Sequence, residues 1–293
     1  MLADVIRGYA AATIERVAAS DNAGRLASDV EAFSTALVSS ESLRWALIDP
    51  NISPVARRSI VADLLVNRVS SESASLIAFV VRVAPPAELA VAIADLVGLV
   101  ESASSVGEPA TSLGASRERL HGYAERVLEE VSSADEIDEM EDAFFRLARI
   151  LEQNAALRHA LTDPGTATES RLAIIRELFG AQVTAPTLRI VSYAISAGRV
   201  RDLVGTFDWL VQLTAEERGR RVAQVRSAVD LDDAERERLA VALRHLVGRE
   251  VEVRVTVDPT VIGGVLIAVG DLVIDGTVRL RVERLRDALA ESA

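Results

Sequence analysis

Residues 43–50 read "LRWALIDP", and residues 157–164 read "LRHALTDP". The same spacing joins "RGYAAATIERV" at 7–17 to "HGYAERVLEEV" at 121–131, so that Gly8 and Gly122, like Pro50 and Pro164, stand 114 residues apart. Arg57/Arg171, Ile60/Ile174, Leu64/Leu178, Leu89/Leu203 and Leu96/Leu210 hold that register. Similarity kept at one offset over about 90 residues means a duplicated domain rather than a solenoid of short units.

Each copy reads as helix. Leu26, Val30, Phe33 and Leu37 recur at the spacing of one helical face, with Asp21 placed to cap it, and Met140, Phe144, Leu147 and Leu151 occupy the same places in the second copy. The Asp-Pro after each "LRxAL" ends a short helix, because proline disfavours helical geometry in the residue before it. Ser53-Pro54 opens the next helix with a capping hydroxyl and a proline in the first turn. The pattern predicts about six helices per copy and no strands. The copies are expected at 1–102 and 118–219. Between them, residues 103–117, "SASSVGEPATSLGAS", have linker composition, a segment across which the two bundles move relative to one another.

Beyond residue 220 the period changes. "EVEVRVTV" at 250–257 alternates strictly, with Val251, Val253, Val255 and Val257 on one side, as in a half-buried strand. "VAQVRSAV" at 222–229 is a weaker strand. Asp232 or Asp233 caps a helix whose stripe is Leu239, Leu243 and Leu246. Residues 220–293 are expected to form a small mixed α/β domain after two tandem six-helix bundles, in a chain that is mainly α.

Composition narrows the chemistry. The 293 residues carry a net charge of −12, which argues against binding a nucleic-acid backbone. There is no cysteine, and the 32 basic residues are all arginine, which removes thiolate chemistry, the phosphate-loop lysine and Schiff bases. His121, His159 and His245 are scattered and read as surface or cap residues. The first 20 residues lack a secretory pattern, and no run of apolar residues is long enough to span a membrane. A soluble, cytoplasmic chain with no metal and no cofactor is expected.

"VIGGVLIAVGDLVIDG" at 261–276 has the glycines of a phosphate cradle but not the context. A cradle sits between a strand and a helix N-terminus, whereas Gly263 and Gly264 precede the strand-like "VLIAV". Gly270-Asp271 reads as a two-residue hairpin connection, and Gly263-Gly264 as a bulge or close backbone approach. Asp275-Gly276 ends the second strand, where Asp275 or Thr277 caps a last helix with Val278, Val282, Leu285 and Leu289 buried. Asp271 and Asp275 hold turn and cap positions rather than forming a catalytic pair.

"VDPTVIGGVLIAVGDLVIDGTVRLRVERLRDAL" resembles the C-terminal signature of the δ subunit of F-type ATP synthases, whose mitochondrial counterpart is the oligomycin-sensitivity-conferring protein. Upstream, "HGYAERVLEEV", "LRHALTDP", "SYAISAGRVRDL" and "VAQVRSAVDLDDAERERL" follow in the family's order, so the resemblance covers about 118–290. Ala268, Leu280 and Val282 depart from the usual pattern and bear on the outer surface of the hairpin and last helix. The larger departure is the extra copy at 1–102.

The resemblance implies a non-catalytic stator adapter on the cytoplasmic side of a bacterial plasma membrane, touching the membrane only through the complex. Its helical domain would hold an N-terminal helix of a head α subunit in a groove between the first and fifth helices. Its C-terminal domain would hold the C-terminal helices of the b-type stalk. Tyr123 and Tyr193 would line that groove, and the repeat register maps them to Tyr9 and Phe79; ordinary core is the alternative for each. "SADEIDEMED" at 133–142 is either a partner surface or the solvated face of a helix. A helical scaffold for an unrelated partner remains the competing reading, and a nucleotide- or metal-dependent enzyme is disfavoured by the missing lysine and cysteine.

Overall fold

The computed structural model describes residues 2–19, 23–102, 112–131, 133–163, 165–196, 202–247, 251–259, 261–269 and 272–278. Among them the chain is mainly helical, with one four-stranded sheet near the C-terminus. The helices of the first 102 residues are α1 (Asp4–Ala19), α2 (Ala23–Ser39), α3 (Glu41–Ile48), α4 (Pro54–Leu65), α5 (Ser71–Val83) and α6 (Leu89–Ser102), with a 3₁₀ turn at Pro86–Glu88. There follow α7 (Leu113–Leu128), α8 (Ala134–Gln153), α9 (Ala155–Thr162), α10 (Thr168–Phe179), α11 (Ala185–Ser196) and α12 (Leu203–Arg221).

Local chemistry sets these boundaries. Ser40 caps α3 by accepting from the Leu43 N–H, and Asn154 caps α9 by accepting from the Leu157 N–H. Both helices stop at an aspartate whose carboxylate folds the next turn: Asp49 accepts from the Asn51 N–H and Asp163 from the Gly165 N–H. Helices α3 and α9 are thus offset by 114 residues at both ends, as are α4 and α10. Ser53 caps α4 as expected, with Pro54 as its first residue. The capping role expected of Asp21 lies outside the described residues.

The two apolar stripes are buried. Leu26, Val30, Phe33 and Leu37 on α2 are at most 4% exposed, and Met140, Phe144, Leu147 and Leu151 on α8 at most 1%. The α2 stripe belongs to an apolar cluster drawn from residues Leu2 to Val100.

Helix α7 begins at Leu113, so the last five residues of the expected 103–117 linker are helical. Ser112 starts the helix there by accepting from the Ala115 N–H. Residues 103–111 lie outside the described residues.

The sheet comprises β1 (Val222–Ser227), β2 (Glu252–Val257), β3 (Val265–Val269) and β4 (Leu272–Asp275), in the order β2-β1-β3-β4. β1 and β2 are parallel, joined through α13 (Asp233–Val247), and the other pairs are antiparallel. α13 opens on a capping box: Asp232 accepts from the Glu235 N–H, and Glu235 accepts in return from the Asp232 N–H. Ala223, Val225, Leu243, Val251, Ile267 and Val269 form the core of this part. Leu246, expected in the α13 stripe, is instead 57% exposed, and Val257 at the end of edge strand β2 is 50% exposed. Each lies at the tip of its element, past the reach of the sheet core.

By internal packing the chain forms two compact units, Met1–Leu128 with Asn154–Thr206, and Glu129–Gln153 with Phe207–Ala293. These units do not follow the boundaries expected at 118 and 219. Within the first unit, α7 packs against α1 more extensively than any other two described helices pack.

Candidate helix-docking surfaces

Two aromatic stacks stand where the repeat register places them. Tyr9 of α1 and Phe79 of α5 stack with ring centroids 3.8 Å apart, and Tyr123 of α7 and Tyr193 of α11 with centroids 3.9 Å apart. Such pairs contribute about 0.5–1.5 kcal/mol beyond the burial of their area. Tyr9, Phe79 and Tyr123 are no more than 2% exposed, and Tyr193 is half-buried. Each stack joins the first and fifth helices of its copy.

What covers the stacks is the opposite copy. A Cβ built on Gly8 would overlap the backbone carbonyl of Arg119, and one built on Gly122 would overlap that of Val5. Val5 and Arg119 are themselves 114 residues apart, so each copy presents the same two positions to the other, as in an isologous dimer interface. Contacts run in the same order along both helices, Asp4 with Arg119 and then Glu15 with Tyr123, so α1 and α7 point the same way. Glycine inside a helix costs up to about 1 kcal/mol relative to alanine. Here its lack of a side chain lets two backbones meet.

Charges frame the crossing. Arg119 Nε meets Asp4 Oδ1 at 2.5 Å, and Arg82 of α5 meets Glu125 of α7 at 2.5 Å. Arg189 of α11 reaches Glu15 of α1 at 3.4 Å, and the Tyr123 hydroxyl donates to the same Glu15. The Arg126 guanidinium lies 5.9 Å from the Tyr9 ring centroid, and Arg82 caps Phe79 at 4.9 Å. Burial, then the Glu15 hydrogen bond, pushes the Tyr123 hydroxyl far above its usual pKa. Burial raises Tyr193 to about 12, with Arg119 opposing and Asp4 and Glu15 adding to the rise.

Sequence reasoning placed the aromatic pairs but missed the partners across the copies: Gly8, Gly122, Asp4, Arg119, Arg82 and Glu125. The signal for them was the glycine of "GYA" at the same place in both copies, inside a helical pattern where glycine calls for a packing reason.

In the C-terminal part, Gly263 and Gly264 adopt φ of 135° and 79°, a region open mainly to glycine. A Cβ on Gly264 would run into the Gly276 carbonyl and lie 3.0 Å from Thr277 Cα. The Gly276 N–H donates to Val265 O, the Val278 N–H to Gly263 O, and the Thr277 N–H to Asp275 Oδ1. The glycine segment thus starts β3 and crosses tightly over the end of β4. Val269 pairs with Leu272, which leaves Gly270 and Asp271 as the connection; both lie outside the described residues, as does the expected last helix beyond Val278.

Stacked aromatics, a bare-backbone crossing and charge pairs thus hold helices of the two copies together. The chain belongs to the family of ATP synthase delta (OSCP) subunits, non-catalytic components of the peripheral stalk; the family's model matches residues 121–289. It is 32% identical over 267 residues to the ATP synthase subunit delta of Parafrankia sp. (strain EAN1pec), covering 90% of this chain and 86% of that one. The subunit delta of Streptomyces avermitilis is 38% identical over 218 residues, 70% of this chain and 80% of its own, and that of Streptomyces coelicolor 33% over 267 residues, 91% and 88%. Matches of about nine-tenths of the chain take in part of residues 1–102, which the family model leaves out. A chain in the cryo-EM structure of the Toxoplasma gondii mitochondrial ATP synthase hexamer matches 59% of this chain and 97% of its own at 14% identity, with a TM-score of 0.27.

Proposed function

We propose that the chain ties N-terminal helices of the head α subunits to the C-terminal helices of a b-type stalk protein, so that the head does not turn with the rotor. Two tandem six-helix bundles, 1–102 and 118–219, would face the head, with Tyr9/Phe79 and Tyr123/Tyr193 as groove floors. The α/β part, 220–293, would hold the stalk. On this reading the protein sits on the cytoplasmic side of the bacterial plasma membrane and meets it only through the complex. No helix among the described residues is long and apolar enough to cross a membrane.

The observation that carries the reading, beside family membership, is that α1 and α7, the helices that carry Tyr9 and Tyr123 of the two aromatic stacks, each already pack against another helix. An amphipathic helix laid in an apolar groove is a common recognition mode, and an aromatic anchor in it is typically worth about 2 kcal/mol or more. Titration of the full chain with the N-terminal peptide of the cognate α subunit tests it. Saturable binding that loses one of its two sites with Tyr193→Ala is expected, while a peptide from the C-terminal end of the b-type stalk binds the variant as it binds the wild type. A scaffold for an unrelated partner would leave both peptides unbound.

A further inference from the structure

We propose that α1 and α7 are a clasp: each helix is the resident occupant of the other copy's aromatic groove, and a partner helix enters only by displacing it. This rests on the reading that a head helix uses those grooves.

Three observations support the clasp. Its geometry is reciprocal, with Gly8 on the Arg119 backbone and Gly122 on the Val5 backbone, so opening one groove opens the other. Its lid lies over the floors: Tyr9, beneath the Arg126 guanidinium, and Tyr123, bonded to Glu15 of α1, are almost wholly buried. Its rim is ionic rather than apolar, made by Asp4–Arg119, Arg82–Glu125 and Glu15–Arg189. The apolar cluster behind the Tyr9–Phe79 floor is drawn from residues of the first copy, Leu2 to Val100. Polar contacts of this kind are the ones along which domains separate. A groove open only part of the time binds its ligand more weakly by the fraction open, so the clasp sets the apparent affinity for a partner helix.

The chain has no cysteine, so a reversible lock is simple to install. Asp4→Cys with Arg119→Cys, bridged by a short bis-methanethiosulfonate reagent, ties α1 to α7 in the full chain. The probe is the N-terminal peptide of the cognate α subunit, with the two labelled single-cysteine variants as controls. The bridged chain is expected to bind at least tenfold more weakly than the same chain after reduction. Equal binding in both states would overturn the clasp while leaving the stator reading intact. It would move the partner helix elsewhere, for instance to the apolar groove of about 650 Å³ lined by Phe33, Leu43, Leu64 and Val69. Absence of binding in both states would sink the head-helix reading and the clasp together. Asp4→Arg, which sets two arginines against each other, asks the same question without a cross-linker. Several-fold tighter binding is expected, with circular dichroism unchanged; unchanged or weaker binding in a folded variant counts against the clasp.

Discussion

At the residue scale the strongest constraints fall on glycines and tyrosines. Gly122→Leu would drive a side chain into the Val5 carbonyl, and neither backbone can yield without parting α1 from α7. A loss of about 2 kcal/mol or more is expected, read as a lower Tm together with a larger Stokes radius. Gly264→Val combines a positive φ with a collision at Gly276, so the C-terminal part should melt earlier while the helical part persists; unchanged melts in a 215–293 fragment would contradict this. The tyrosines supply a pH dependence. Burial raises Tyr123 and Tyr193 above the ordinary phenol value near 10, so between there and about 12 the folded state holds protons that the unfolded state releases. Stability is therefore full below pH 10 and falls as pH rises toward 12. Tyrosinate absorbance should show these two hydroxyls titrating only as the helical signal is lost, and Tyr193→Phe should flatten part of that decline.

At the element scale, boundaries and stripes were legible because they depend on local chemistry. Ser53-Pro54, the two Asp-Pro stops and the α2 and α8 stripes each carry their reason within a few residues, and α3, α4, α9 and α10 fall in the repeat register. Elements that miss do so at their tips: Leu246 and Val257 continue the sequence pattern beyond the sheet that would bury them. The α1–α7 crossing, marked in the sequence only by the glycine shared by both "GYA" motifs, was missed for a different reason. Its face is glycine, alanine, Asp4, Glu15, Arg119 and Arg126, the composition of a solvated helix surface, and only the opposite copy turns those charges into partners. Because the apolar cluster of the first copy is drawn from residues 2–100, a 1–102 fragment should fold alone, with a helical circular dichroism spectrum. Its bare α1 face, complementary to a repeat-related face, should make it self-associate, as sedimentation would reveal. A disordered spectrum would mean that the first copy needs the second.

At the scale of the whole molecule, the proposed clasp between the two copies has consequences for how a partner helix would bind. If each copy holds an α-subunit helix as proposed, one chain holds two, and linkage makes the second engagement intramolecular on an assembled head. With free peptide a different coupling operates. The two grooves shut against each other, so the first helix to bind must open α1 from α7, and the second enters a groove already open. Affinity for the second site therefore exceeds that for the first by the factor the closed state imposes, which is positive cooperativity without any contact between the peptides. Titration of the full chain should give a stoichiometry near two and a Hill coefficient above one. Tyr193→Ala, which removes one floor, should reduce the stoichiometry to one and abolish the cooperativity, and Phe79→Ala should do the same from the other side. Asp4→Arg should leave two sites but lower the Hill coefficient toward one, because a loosened clasp has less opening left to share. Two independent sites with wild-type chain would show that the grooves open separately. A single site untouched by Phe79→Ala would leave the first copy with the α7 face as its only ligand, a permanent brace for the second.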